Sequence, residues 1–136
     1  MERTTDWLAE EGAVLTEGLH ALVIALETQS PTNLVVDMVE DGLCEASQRA
    51  LMAFLRVKPG QKDVVFLMTR SSSILDLDLA GAGEAVIYCP ANHGMPFRAS
   101  LQPGGRGYEA VAMCVATPEV RARTSCITAI TSGAAA

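Results

Sequence analysis

Residues 89–101, "CPANHGMPFRASL", gather several side chains that can do chemistry in one short stretch. His93, one of only two histidines in the chain, follows Cys89 by four positions and precedes Phe97, Arg98 and Ser100. An imidazole titrates near neutrality, so it can both take and give a proton. A cysteine beside such a base can act as a nucleophile when its surroundings are open and electropositive. The same stretch is broken by Pro90 and Gly94, and the bland reading of His93 is a hinge between two strands. Three other groups invite the same question. Asp76 and Asp78 in "LDLDL" share one face if the segment is extended, or complement a helix dipole after the serines at 71–73. "GGRG" at 104–107 can offer backbone amides and a guanidinium to a phosphate, or simply make a flexible turn. Arg121 and Arg123, with Thr124 and Ser125, can hold a phosphate or carboxylate through charge-assisted hydrogen bonds, or decorate a solvated helix end.

The elements around these residues follow from periodicity. The run 43–57, "LCEASQRALMAFLRV", is the clearest helix, with Leu43, Ala50, Leu51, Phe54 and Leu55 recurring at three and four. Thr5 to Leu26 reads as a helix followed by a strand, the continuous apolar "HALVIAL". "LVVDMVE", "DVVFLMT", "EAVIYC" and "MPFRASLQP" read as further strands, as does "YEAVAMCVA". "TPEVRARTS" reads as a capped helical turn with Pro118 in its first turn. Strands interleaved with two or three helices predict one α+β domain over 1–136, a mixed sheet packed against helices.

Composition sets limits. Hydrophobic residues make up 49% of the chain, which is incompatible with disorder, yet only six are aromatic, so the core falls to aliphatic residues and Met. A formal charge of −6 argues against nucleic acid, which asks for a clustered positive surface. Cys44, Cys89, Cys114 and Cys126 show no metal-ligand spacing, which predicts buried free thiols in a reducing cytoplasm. The acidic first fifteen residues are unlike a secretory signal, and no apolar run approaches bilayer length, so the chain is expected to be cytoplasmic and not membrane-bound.

The order of segments resembles the 3,4-dihydroxy-2-butanone 4-phosphate synthase family of riboflavin biosynthesis. "EGLHALVIALETQSPTNLVVDMVE" is similar to its opening strand, acidic loop and second strand. "ASQRALMAFLRV" followed by "DVVFLMTRSSSILDLDL" is similar to its next helix, strand and Leu-Asp-Leu segment. "HGMPFRASL" resembles the family's His-Gly-Thr-Ala-Phe-Thr-Val-Ser strand through His93, Gly94, Phe97 and, one residue out of step, Ser100. "TPEVRARTSCI" is similar to its Ala-Asp-Arg-Ala-x-Thr stretch through Arg121, Ala122 and Thr124. The resemblance implies an α+β homodimer that removes a carbon of a sugar phosphate as formate with a divalent metal. Where the family has a dense acidic loop, however, this chain reads "ETQSPTN", with only Glu27 acidic nearby, and a hard cation asks for more than one such carboxylate. The family's metal-ligating histidine segment also has no counterpart in these residues.

The expected function is therefore a divergent, metal-independent enzyme without a cofactor, performing a lyase, isomerase or cyclase-type rearrangement on a small organic molecule. His93 is its expected general acid or base, with Glu27 as a second acid–base group. Arg98, Ser100, Arg121 and Thr124 are expected to bind the substrate. The alternative is a non-catalytic ligand-binding or regulatory homologue, or a partner subunit of another enzyme.

Overall fold

The computed structural model describes residues 2–28, 33–57, 64–81, 83–90 and 92–114. Its elements are α1 (Glu2–Glu10), α2 (Glu17–Glu27), β1 (Asn33–Val36), α3 (Glu45–Val57), β2 (Val64–Leu67), β3 (Val86–Tyr88), β4 (Phe97–Ala99) and α4 (Tyr108–Cys114). Helices and short strands together make an α+β fold. Parallel and antiparallel pairing both occur, each in its own two-stranded sheet among the described residues. Contacts divide the chain into two compact units, Met1–Ile74 and Leu75–Ala136.

In the first unit, α1 ends at a Schellman turn. Gly12 takes φ 93°, its amide donates to the Ala9 carbonyl and the Ala13 amide donates to that of Leu8. The next helix, α2, starts at Thr16, whose hydroxyl accepts from the Leu19 amide at 3.2 Å. Leu19, Val23 and Leu26, spaced by four and three, are its buried stripe. This is the segment whose "HALVIAL" reads as a strand. A continuous apolar run fits either element, and the cap at Thr16 with Glu17 in the first turn decides for helix.

The helix expected at 43–57 forms over Glu45–Val57, with Glu45 at its positive end and Arg56 at its negative end. It connects β1 to β2, which run parallel with Val35 beside Phe66 and Val36 beside Leu67, a βαβ unit. Leu8, Leu19, Val23, Leu26, Leu51 and Phe54 meet in its core, and Trp7 packs on Phe54 with ring centroids 6.1 Å apart. Leu51 is wholly buried, so cutting it to Ala costs about 2–5 kcal/mol.

The second unit is built on a hairpin. β3 and β4 pair antiparallel, Val86 with Ala99, Ile87 with Arg98 and Tyr88 with Phe97. Ala99 and Val111 form the buried centre, lined by Leu75, Leu77, Val86 and Tyr88. "YEAVAMC", also read as a strand, is helix α4. It starts where Gly107 turns the chain at φ 81°, and the Val111 amide donates to the Gly107 carbonyl. One helical turn after Gly107, Val111 comes to rest in the same core as Ala99.

Candidate functional site

His93 stands in the turn between β3 and β4, exposed, with φ 62°. Asn92 makes this geometry: its Oδ1 accepts the Gly94 amide at 3.0 Å, an Asx turn that leaves the residue between them left-handed. His, Asn and Asp tolerate that region better than other non-glycine residues. His93 is thus both the hinge and an imidazole held out into solvent. Arg98 lies mid-strand on β4, exposed beside Ile87. Among the described residues neither the His93 imidazole nor the Arg98 guanidinium has a hydrogen-bond or ion-pair partner.

Ser100 is placed differently from a substrate ligand. Its hydroxyl donates to the Gln102 carbonyl and accepts the Gln102 amide, and its own amide donates to Arg106 across the turn. The "GGRG" segment is folded onto that turn. A Cβ at Gly105 would lie 2.1 Å from the Ser100 hydroxyl, and Arg106 stacks 4.4 Å over the Phe97 ring. Tyr88 meets the same ring edge-on at 5.5 Å. Arg106 therefore packs on Phe97 of β4 through its guanidinium. Asp76 is likewise a turn residue, its Oδ1 accepting the Asp78 amide at 3.1 Å.

Glu27 belongs to the first unit, at the end of α2, where its carboxylate accepts the hydroxyl of buried Thr4 and ties α2 to α1. His93, Arg98 and Ser100 belong to the second unit. Arg121 and Thr124 lie outside the described residues, as do Cys126 and the capped turn read at 117–125.

Sequence reasoning passed over the polar cluster at the carboxyl end of β1 and β2. Glu40 accepts the Thr69 hydroxyl at 2.7 Å and the Arg70 amide at 3.0 Å, joining the two strand ends. Partial burial pushes its carboxyl up, but these hydrogen bonds and the Arg70 charge outweigh it and hold the pKa below the ordinary value. Thr69 in turn accepts the Ser71 amide, and buried Ser71 donates to Gln48 of α3, whose amide nitrogen donates to the Leu43 carbonyl. The bonds that tie it together span 23 to 30 positions of chain, beyond any local pattern, and the serine triplet at 71–73 was its one visible trace.

Two thiols expected to be buried, Cys44 and Cys89, are exposed and free. Cys44 precedes the first turn of α3 and Cys89 follows the last residue of β3, so each lies just beyond the element its apolar neighbours form. The Ser47 hydroxyl and amide lower the Cys44 pKa, with Sγ 3.2 Å from Ser47 Oγ. Ser47 itself is buried, taking the Val14 amide at 2.8 Å.

Among the described residues no cluster of three or more His, Cys, Asp or Glu forms a cation site, and no helix is long and apolar enough to cross a membrane. No protein-family model matches the chain, and neither a curated protein nor a solved structure matches it significantly.

Proposed function

We propose that this chain is a cytoplasmic, metal-independent protein acting on a small organic molecule, a divergent relative of the dihydroxybutanone phosphate synthases that works as a homodimer. In this reading the β3–β4 hairpin presents Arg98 to an anionic or carbonyl oxygen, and His93 moves the proton in a lyase, isomerase or cyclase-type rearrangement. The observation that supports it is the pairing, within one hairpin, of an exposed imidazole and an exposed guanidinium whose polar atoms no described residue uses. A charge left free in this way gives up only its water, and no internal bond, when a ligand arrives. The left-handed backbone at His93 adds weight, because such geometry concentrates where side chains are held for use. From the sequence alone, Arg121 and Thr124 are proposed as further ligands and Glu27 as a second acid–base group, which would have to give up its Thr4 hydrogen bond to serve.

Ser100 favours a second reading. Its hydroxyl is committed to its own turn, and general acid–base catalysis gains most where water is excluded, whereas His93 is open to it. A non-catalytic ligand-binding or regulatory protein needs only the Arg98 contact.

A thermal-shift titration with ribulose 5-phosphate, with and without magnesium, tests the shared part. At about 100 times Kd a native-state ligand adds ~2.7 kcal/mol, which in a chain of this size raises Tm by roughly 10 °C. The expected result is a rise that needs no magnesium and disappears in Arg98→Ala. No rise under either condition removes this substrate class. Following the sugar phosphate by carbon NMR then separates the readings: turnover lost in His93→Asn, with binding kept, marks an enzyme, and binding without turnover marks the second reading.

A further inference from the structure

Three groups able to hold a soft metal ion stand in the loop that joins β3 to β4. Cys89 is the first residue after β3, and its thiol is free and exposed. The His93 imidazole is exposed on its left-handed residue. Met95 is 84% exposed, so its thioether contributes almost nothing to a core. The loop is folded shut around them. Tyr88 pairs with Phe97, and Cys89 and Pro96 are the next residues on the two strands. Further out, Asn92 Oδ1 accepts the Gly94 amide at 3.0 Å, and a Cβ on Gly94 would lie 3.5 Å from Pro90 Cβ and Cγ. The backbone is restricted at all three positions. Cys89 and Met95 each precede a proline, which confines them to extended conformations. His93 is set at φ 62° by the Asx turn. A loop constrained in this way has little freedom left to lose on binding.

We propose that this loop is a binding site for a reduced copper ion, Cu(I), held by Cys89 Sγ, one ring nitrogen of His93 and Met95 Sδ. The donor set selects the metal. Thiolate and thioether sulfur favour Cu(I), and imidazole is compatible with it. Zinc instead takes Cys, His and carboxylate ligands, and no Asp or Glu joins Cys89 and His93 in a group of three among the described residues. On binding, the Cys89 thiol gives its proton to water and the sulfur lone pair goes to the ion, which remains Cu(I), so nothing is oxidised or reduced. The site is no part of the metal-independent turnover proposed above. Copper on His93 takes the lone pair that proton transfer needs, so the two uses of the imidazole exclude one another.

The test is an anaerobic titration of the full chain with Cu(I) alone, in competition with a chromogenic Cu(I) chelator. Because no organic ligand is present, its failure leaves the ligand reading standing. The wild-type chain is expected to withdraw copper from the chelator. Loss of a direct ligand should cost at least what loss of an outer hydrogen-bond partner of a ligand costs, about 10–100-fold in affinity. Cys89→Ser, His93→Asn and Met95→Leu are each expected to weaken binding at least about tenfold, with far-UV circular dichroism like that of wild type. All three positions are exposed, and Asn tolerates the left-handed backbone at 93. His93→Asn and Met95→Leu leave every thiol of the chain in place, so their loss cannot be assigned to cysteine alone. Cys44→Ser, which removes the other exposed free thiol, is expected to bind as wild type does. A wild-type chain that withdraws no copper overturns the proposal, and so does a His93→Asn or Met95→Leu variant that binds as tightly as wild type.

Discussion

Gly107 is where the second unit has least room to change. It turns the chain at φ 81°, and a Cβ built there would lie 2.5 Å from Phe97 Cε2 and 3.2 Å from Ala99 Cβ. Phe97 cannot simply swing aside, because Tyr88 holds its edge and Arg106 its face. Gly107→Ala therefore meets two costs. The left-handed backbone costs an L-residue about 1–2 kcal/mol, and forcing an extra methyl into a packed site adds roughly 1–3 kcal/mol. Gly104 separates them, since it has the same φ of 81° with nothing within 4 Å of its Cβ position. Gly104→Ala should lose only the conformational part. The difference between the two variants, about 1–3 kcal/mol, is the steric contribution alone. Urea unfolding followed by tyrosine near-UV circular dichroism reads the second unit, where Tyr88 and Tyr108 both lie. Equal midpoints for the two variants would show that Phe97 is not fixed as described, and the account of how β4 carries Arg98 would fail with it.

Three further outcomes are expected. Glu40 has a folded pKa below its unfolded value, so its contribution is complete above the ordinary carboxylate pKa and is lost as pH falls through the folded one. Glu40→Gln should consequently flatten the acid limb of a stability–pH curve while costing stability at pH 7, and an unchanged limb would refute the strand-end bond. Ser47→Ala leaves the Val14 amide without its partner at a cost of about 1–3 kcal/mol, and it should also slow alkylation of Cys44 at neutral pH. At the β3–β4 turn, His93→Gly should match or exceed wild-type stability in thermal melts and His93→Ala should lose about 1 kcal/mol, because only the backbone angle is at stake.

Amphipathic spacing made α3 legible to within two residues of its start, because Leu51 and Phe54 face the core while Glu45 and Arg49 face water. The short strands carrying Val65, Ile87 and Phe97 were legible for a similar reason, each being a β-rich run between turn residues. "HALVIAL" and "YEAVAMC" were not. Each is apolar on nearly every position, so periodicity is silent, and the deciding features, the hydroxyl of Thr16 and the turn at Gly107, lie outside the run itself. His93 and Arg98 could be picked out as candidates by type. That Ser100 is spent on its own turn, and that Glu40 reaches Thr69, depends on three-dimensional closure that no spacing rule encodes.

The two sheets also set two clocks. Pairing Tyr88 with Phe97 closes a short loop, whereas pairing Asn33 with Val64 must first bring together ends separated by roughly three times as much chain. Closure entropy alone makes the second event costlier by about 1 kcal/mol, or roughly sixfold in rate. During refolding the amides of β3–β4 should accordingly gain hydrogen-exchange protection before those of β1–β2. Until α3 docks, Val35 and Phe66 are bare together with Leu34 and Val65, so the parallel pair is the segment that a chaperone, or a second nascent chain, meets first.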